Sequence, residues 1–376
     1  MVSVGFGKFF VHMNQMQEVL LPLGISFYTF KAISYLVDIY KGKAELGNNP
    51  IHDLLYLSFF SQIQSGPITR YNDVQFRKSE ISGLFCDGII RFMIGFCKKV
   101  LIANVLVNIT REIFNSPIES YSTSYAWLGS LCYSLQLFFD FAGYSDMAIG
   151  ISEMFGYKCM ENFKYPYMTE SVSKFWRRWH ISLSEWFRDY IYIPLGGSKS
   201  KHRWRVYFNL LVVWILTGIW HGKEWNFILW GLGYFVVISF ERMTGFPEKF
   251  KQRETRAIYR ILALMFINFE WVIFNSPDVI KGLQFIKCMI FYRRNELADI
   301  RSLFLLRDYS FFIVLALVLC FPVVPYAEKI LYERFRERCV ARLFDTVKFT
   351  FIGAAFVWAL SFVVAGQNNP FAYANF

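Results

Sequence analysis

Long apolar windows recur along most of this chain, and they constrain its fold more than any other feature of the sequence. A helix that crosses the hydrocarbon layer of a bilayer needs about 20 mostly apolar residues. We therefore predict an all-α integral membrane protein, a polytopic helical bundle with about eight to ten membrane segments. The windows are Leu20–Tyr40, Leu54–Ile68, Phe85–Val107, Tyr125–Ile151, Val206–Gly222, Trp225–Phe240, Ile258–Phe274, Phe311–Tyr326 and Val347–Ala365.

Composition agrees with burial in lipid. Hydrophobic residues make up 55% of the chain and aromatic residues 20%, whereas charged residues are only 18%. Soluble domains carry about 25% charged residues, so a single soluble core is disfavoured. The first two windows contain Pro22 and Gly24, or end at Gly66 and Pro67, which favours broken or re-entrant segments there.

The net charge of +11 is concentrated in short basic loops between apolar windows. Such clusters are typical of the cytoplasmic side of membrane proteins, and this explains the charge better than nucleic-acid binding does. We predict that the loops Ser198–Arg205 and Arg242–Arg256 are both cytoplasmic, in a multi-pass protein of the cell (inner, cytoplasmic) membrane. The helices between them then form a hairpin, with His221 roughly 22 Å from Val206.

Aromatic residues recur at three- and four-residue spacing between Ser171 and Ile193. Charged residues occupy the other positions, and Pro194 follows directly. This pattern predicts an amphipathic helix that lies in the membrane interface rather than crossing it.

Two of the five histidines, His180 and His221, are the candidate chemical groups. His221 ends an apolar helix, and a neutral imidazole there suits a general base near neutral pH. A histidine that bonds a carbonyl group or water at the headgroup interface is the competing interpretation. His180 borders the aromatic stripe, where a satisfied interfacial histidine is the more common interpretation of the position taken alone.

Asp140 and Asp146 lie in one apolar window and need partners if they are buried. They are six residues apart, about 600° on a helix, so they do not share a face. Either they form structural ion pairs with an arginine such as Arg177 or Arg178, or they have a functional role. The spacing of the histidines and the seven cysteines predicts no metal site.

Several sequence blocks together resemble the membrane-bound O-acyltransferase (MBOAT) family. They include Phe138–Gly150, Phe175–Gly197 and Gly218–Gly222, and the earlier stretches Leu21–Phe30 and Ser65–Arg70 also fit. The branch that they resemble most contains the membrane subunits of bacterial alginate and peptidoglycan O-acetyltransferases. The resemblance implies one MBOAT-like domain over residues 1–376, and we expect it to lack the first membrane segments of the family.

The resemblance also implies roles for the matched residues. His221 is the candidate catalytic residue and His180 a second functional position. The branch carries acetyl groups from a cytoplasmic thioester, such as acetyl-CoA, to an extracytoplasmic polysaccharide, commonly with an exported acetyltransferase partner. No permanently bound cofactor is expected.

From these features we predict a central funnel or tunnel with the donor entering from the basic side. Arg70, Arg177 and Arg178 are candidates for donor phosphates, although lipid-headgroup binding is equally compatible with them. Trp220 is a neighbour of the candidate base. Transfer of D-alanine to teichoic acid, and a transporter or channel without catalysis, are the alternatives.

Overall fold

The computed structural model describes residues 24–47, 49–76, 81–199, 202–249, 252–291, 296–334 and 338–366. Most of these residues are helical, which confirms the all-α prediction. The described strands, β1 (Gln75–Phe76) and β2 (Tyr157–Lys158), form one short antiparallel pair. The parts of the sequence predictions that concern residues before Gly24 or after Gly366 lie outside the described residues.

Apart from this strand pair, the described elements are helices and helical turns. In chain order they are α1 (Ile25–Tyr40), α2 (Pro50–Ser58), α3 (Ile81–Cys97), α4 (Asn104–Asn115), α5 (Thr123–Met154), α6 (Val172–Trp176), α7 (Ile181–Phe187), α8 (Arg203–His221), α9 (Trp225–Thr244), α10 (Arg253–Asn275), α11 (Val279–Ile290), α12 (Ile300–Leu319), α13 (Val323–Arg334) and α14 (Arg338–Val364). A π-helical turn, Lys98–Ala103, joins α3 to α4.

Five helical stretches in the described ranges are long and apolar enough to cross a membrane. The other segments predicted from the sequence are also helices. Helix α1 is shorter, with 16 residues, and the 32-residue α5 is more polar. The five are Gly83–Asn115, Trp225–Thr244, Arg253–Asn275, Ile300–Leu319 and Arg342–Val364.

Helix α5 lies at the centre of the molecule and packs along α3. Glycines allow the two backbones to approach closely: a Cβ on Gly95 would lie 2.6 Å from the carbonyl oxygen of Gly143. A Cβ on Gly88 would lie 2.5 Å from the oxygen of Gly150. Close contact through small residues is a common way for membrane helices to associate.

The hairpin predicted from the two charge-free windows is present. Helix α8 ends at His221, and α9 begins at Trp225 after a three-residue turn. The two helices pack closely where a Cβ on Gly218 would lie 2.6 Å from the oxygen of Phe227. The basic loops therefore flank the same end of this hairpin.

Two sequence predictions about helix boundaries are wrong. The expected helix Ser171–Ile193 is broken into α6, α7 and a π-helical turn, because His180 adopts a left-handed backbone with φ of 43°. Its aromatic stripe faces protein, since Phe175 and Trp179 belong to the main core. The window Phe311–Tyr326 spans the end of α12 and the start of α13, because Pro322 interrupts the helix.

Candidate active site

His221 is the last residue of α8 and is only 5% exposed. Aromatic rings surround its imidazole. The ring centroid of Trp220 lies 4.6 Å away, and those of Trp230 and Phe274 lie 5.0 Å away in edge-on contact. The environment around this histidine is therefore largely apolar.

The start of α9 and the end of α10 create this environment. The side-chain amide of Asn226 donates hydrogen bonds to the carbonyl oxygens of Ile273 (3.3 Å) and Ser276 (2.8 Å). These bonds close the last turn of α10 onto α9, satisfying carbonyl groups that a helix end leaves unpaired. They hold Phe274 and Trp230 against His221 and against each other, with 5.4 Å between the centroids of these two rings.

His180 lies at the break between α6 and α7 and is 1% exposed. Its left-handed φ of 43° favours glycine over any residue with a side chain. The ring packs edge-on against Phe141, with 4.7 Å between centroids, and its Nδ1 lies 3.2 Å from the Oδ1 of Asn162. An unfavourable backbone conformation maintained by tertiary contacts is a common feature of functional sites.

The contacts of Asn162 determine which nitrogen of His180 carries the proton. The Oδ1 of Asn162 accepts hydrogen bonds from the backbone N–H of Ser182 (3.3 Å) and from its hydroxyl (2.9 Å). The amide nitrogen of Asn162 donates to the Oγ of Ser145 at 3.1 Å. Because Oδ1 can only accept, the Nδ1 of His180 must donate to it.

The lone pair of a neutral His180 therefore resides on Nε2. That atom is buried and has no hydrogen-bond partner among the described residues. Burial, together with the nearby imidazole of His221, holds the pKa of His180 well below its usual range. His180 is consequently neutral at neutral pH and offers Nε2 as a proton acceptor.

Trp220 lies between the two histidines. Its ring centroid is 6.3 Å from that of His180 and 4.6 Å from that of His221. The indole N–H groups of Trp220, Trp230 and Trp176 are buried without a partner in the described part of the chain. Two buried imidazoles with the ring of Trp220 near both, and unused indole N–H donors close to His221, can move a proton and stabilise a developing negative charge.

A cavity of about 630 Å³ lies at the end of the hairpin that the basic loops flank. Its lining includes Lys174, Arg177, Arg188 and Arg242, and it reaches Thr217 on α8. Thr217 is four residues before His221, about 6 Å along the helix axis. The cavity, here called the basic cavity, therefore leads from a cationic surface toward the histidines.

The three predicted phosphate-binding arginines have different surroundings. Arg70 contacts the carboxylates of Asp189 (2.7 Å), Glu185 (3.7 Å) and Asp73 (3.7 Å). Arg177 is exposed and lines the basic cavity, whereas Arg178 is not part of that lining.

Both predicted aspartates form ion pairs. Asp140 is paired with Lys99 in the protein interior. Asp146 contacts Arg91 (2.9 Å) and Lys98 (2.6 Å). The expected partners, Arg177 and Arg178, are wrong because α3 and the π-helical turn, rather than the α6 region, pack along this face of α5.

Sequence reasoning missed Lys98, Lys99, Asn162 and Glu241. The two lysines gave a usable signal, since adjacent cations in one apolar window require acids in another. Asn162 lies in a loop and offered no such signal. Among the described residues, no group of three or more His, Cys, Asp or Glu side chains is placed to hold a metal ion.

The helical fold and its long apolar helices agree with what the sequence blocks imply. The chain belongs to the membrane-bound O-acyltransferase family, whose model matches residues 15–280. The family assignment made from the sequence is therefore confirmed.

The chain is also similar in sequence to individual members of this family. The chain is 40% identical to the probable alginate O-acetylase AlgI of Azotobacter vinelandii over 265 residues, 70% of this chain and 52% of that protein. It is 36% identical to the peptidoglycan O-acetyltransferase of Helicobacter pylori over 304 residues, 73% of this chain and 57% of that protein. The teichoic acid D-alanyltransferase of Bacillus subtilis is 35% identical over 273 residues, 67% of each chain. The chain thus spans about half the length of the first relatives that it matches.

Proposed function

We propose that this protein is a membrane O-acyltransferase that moves an acetyl group from a cytoplasmic thioester toward hydroxyl groups of an extracytoplasmic polysaccharide. The observation that carries the proposal is the position of His221, which is buried among aromatic rings one helical turn beyond Thr217 of the basic cavity, with Trp220 near both it and His180. The acetylating relatives support the acetyl group as cargo.

The reaction requires one base that later acts as an acid. An acceptor hydroxyl attacks the thioester carbonyl carbon while His221 takes its proton. The new C–O ester bond forms, the C–S bond breaks, and the imidazolium returns the proton to the departing thiolate. Indole N–H groups near His221, above all that of Trp230, are the candidate donors to the oxyanion.

The basic cavity is the proposed donor entrance. Acetyl-CoA or another acyl thioester has an extended thiol arm and anionic phosphates, which suit a cavity with cations at its mouth and Trp176 and Trp214 inside. Arg177 is the candidate phosphate contact, since Lys174 and Arg188 already contact carboxylates. The donor is a substrate, so no permanently bound cofactor is proposed.

The same reaction also determines where the acceptor of the acetyl group would be found. The protein would lie in the inner, cytoplasmic membrane, where an extracytoplasmic polysaccharide or an exported acetyltransferase partner accepts the acetyl group. D-alanyl transfer to teichoic acid is the second candidate, favoured by the D-alanyltransferase among the relatives. A transporter without catalysis is the alternative that the following test excludes.

The test is His221→Ala and His221→Gln in the full chain, with release of CoA from acetyl-CoA as the measurement. A positioned base contributes about 10²–10⁴-fold in rate, so each variant should lose at least about 100-fold while its level in the membrane is unchanged. Exposed His52→Ala serves as the control and should retain full activity. Near-normal turnover in either His221 variant contradicts the mechanism, and absence of CoA release from the unmodified protein favours a transporter.

A further inference from the structure

Two polar contacts connect different walls of the basic cavity. The Nζ of Lys174 on α6 lies 3.5 Å from the Oε1 of Glu248, which follows α9. The guanidinium of Arg242, near the end of α9, donates a hydrogen bond of 3.1 Å to the hydroxyl of Tyr192 in the π-helical turn Arg188–Tyr192. Lys174, Glu248, Arg242 and Tyr192 all line the cavity, and the two pairs are here called the entrance contacts.

The entrance contacts lie at the solvent end of the cavity. The side chain of Glu248 is 64% exposed, and Arg242 is exposed as well. The inner lining includes the buried rings of Trp176 and Trp214, and it reaches Thr217. A donor whose thiol arm occupies the aromatic part of the cavity would therefore leave its charged end beside the entrance contacts.

The segment that carries Glu248 is held against α10. Gly245 ends α9 in a left-handed conformation with φ of 71°, and the backbone N–H of Lys249 donates to its carbonyl oxygen at 3.0 Å. The ring of Phe246 packs edge-on against Tyr259 of α10, with 4.4 Å between centroids. The carboxylate of Glu248 can therefore leave Lys174 by side-chain rotation, but it stays close to the entrance.

Both entrance contacts are of a kind that a phosphate group can replace. Lys174 also contacts Glu170 at 2.7 Å, so two carboxylates share one ammonium, and an exposed pair of this kind contributes little free energy. Arg242 donates to a neutral hydroxyl and forms no ion pair among the described residues. A phosphate would give Arg242 a charged acceptor suited to the guanidinium, whereas the carboxylate of Glu248 would repel it.

We propose that Glu248 restrains binding of the donor. In the empty protein it occupies Lys174, and a phosphate of the donor has to displace it, while Arg242 exchanges the hydroxyl of Tyr192 for the same donor. Glu248 and Arg242 then act in opposite directions on thioesters that carry phosphates and not at all on those without. The proposal rests on the proposed function, because it takes the basic cavity as the donor entrance.

The test measures equilibrium binding of CoA and of pantetheine, which has the thiol arm of CoA without its phosphates, to the full chain in detergent. Glu248→Gln removes the competing carboxylate and keeps the shape of the side chain. Glu254→Gln is its control, because Glu254 is exposed on the first turn of α10, outside the cavity lining, and its loss changes the net charge equally. Arg242→Gln removes the proposed phosphate contact, and the exposed Arg253→Gln is the control for that change.

Glu248→Gln should lower the Kd of CoA about two- to fivefold, the effect expected of one exposed charge pair, while the Kd of pantetheine stays unchanged. Arg242→Gln should raise the Kd of CoA about tenfold or more without changing that of pantetheine. Both control variants should bind the two compounds like the unmodified chain. Loss of a merely structural contact would not strengthen binding of CoA alone, so a Kd of CoA that rises or stays the same in Glu248→Gln overturns the proposal.

Further measurements separate this proposal from the acyl transfer on which it rests. With acetyl-CoA as the donor, Glu248→Gln should lower the KM and leave kcat unchanged. Stronger binding of CoA by Glu248→Gln, in a chain that never releases CoA from acetyl-CoA, would support the role of Glu248 while the proposed transfer fails. Added phosphatidylglycerol distinguishes donor phosphates from those of lipid headgroups. If it raises the Kd of CoA to that of pantetheine, the cations bind lipid and the proposal is wrong.

Discussion

At the scale of residues, His180 shows how the chain fixes a reactive nitrogen. Its left-handed backbone costs of order 1–3 kcal/mol, and the surrounding contacts must offset that cost. Asn162 provides them by bonding the imidazole and Ser182 through one oxygen. The outcome is a buried imidazole with a defined tautomer and an unpartnered Nε2.

This arrangement predicts a positioning role for Asn162. Asn162→Ala removes the acceptor for Nδ1–H, so the tautomer is no longer fixed, and the transfer rate should fall about 10–100-fold. Asn162→Asp keeps an acceptor and should restore most of the activity. Its carboxylate would raise the pKa of His180, so the part of the activity that depends on a neutral His180 should be lost at a higher pH. The profile is measured by CoA release, with His180→Ala as the reference for complete loss. A rate in Asn162→Ala equal to that of the unmodified chain would mean that the tautomer does not matter.

At the scale of elements, hydropathy predicts the membrane helices, whereas it does not predict local breaks in the backbone. The windows Trp225–Phe240 and Ile258–Phe274 correspond to α9 and α10, because apolar length alone identifies a membrane helix. The break at His180 could not be predicted, since it depends on Asn162, which is distant from any periodic pattern. Likewise, the sequence identified both histidines but not Asn162, and it could not place the partners of Asp140 and Asp146.

Glu241 of α9 forms hydrogen bonds that connect it to α6 and α10. This buried side chain of α9 accepts hydrogen bonds from the backbone N–H groups of Val172 (2.7 Å) and Ser173 (2.8 Å) in the first turn of α6. The hydroxyl of Tyr259 on α10 donates a third bond at 2.7 Å. A carboxylate at a helix start satisfies unpaired N–H groups and interacts favourably with the helix dipole.

We expect Glu241→Gln to destabilise the protein by about 1–3 kcal/mol, since its amide nitrogen cannot replace the lost acceptor oxygen. The shift in thermal unfolding temperature of the purified protein in detergent measures this effect. The exposed Glu248→Gln is the control and should unfold like the unmodified protein. An unchanged unfolding temperature in Glu241→Gln would show that these bonds do not anchor α6.

At the scale of the whole molecule, the proposed transfer requires a path from the basic cavity past the histidines to the other membrane face. The direction of that path depends on topology. The basic loops flank the end of α8 and α9 that holds the basic cavity, and positively charged loops remain on the cytoplasmic side. The opposite end of α10, where Glu119 and Asn275 line a cavity of about 820 Å³, is then predicted to face away from the cytoplasm.

Cysteine labelling in intact cells tests this orientation. The seven native cysteines are first replaced by serine, and single cysteines are introduced at Ser198 in the basic loop and at Glu119 at the opposite end of α10. Both positions are exposed, so a difference in their reaction with an impermeant maleimide added outside reports sidedness rather than burial. Glu119→Cys should react in intact cells, and Ser198→Cys only after the membrane is permeabilised. The reverse pattern would place the basic cavity outside the cell, where no cytoplasmic thioester could enter it, and the proposed path would run in the wrong direction.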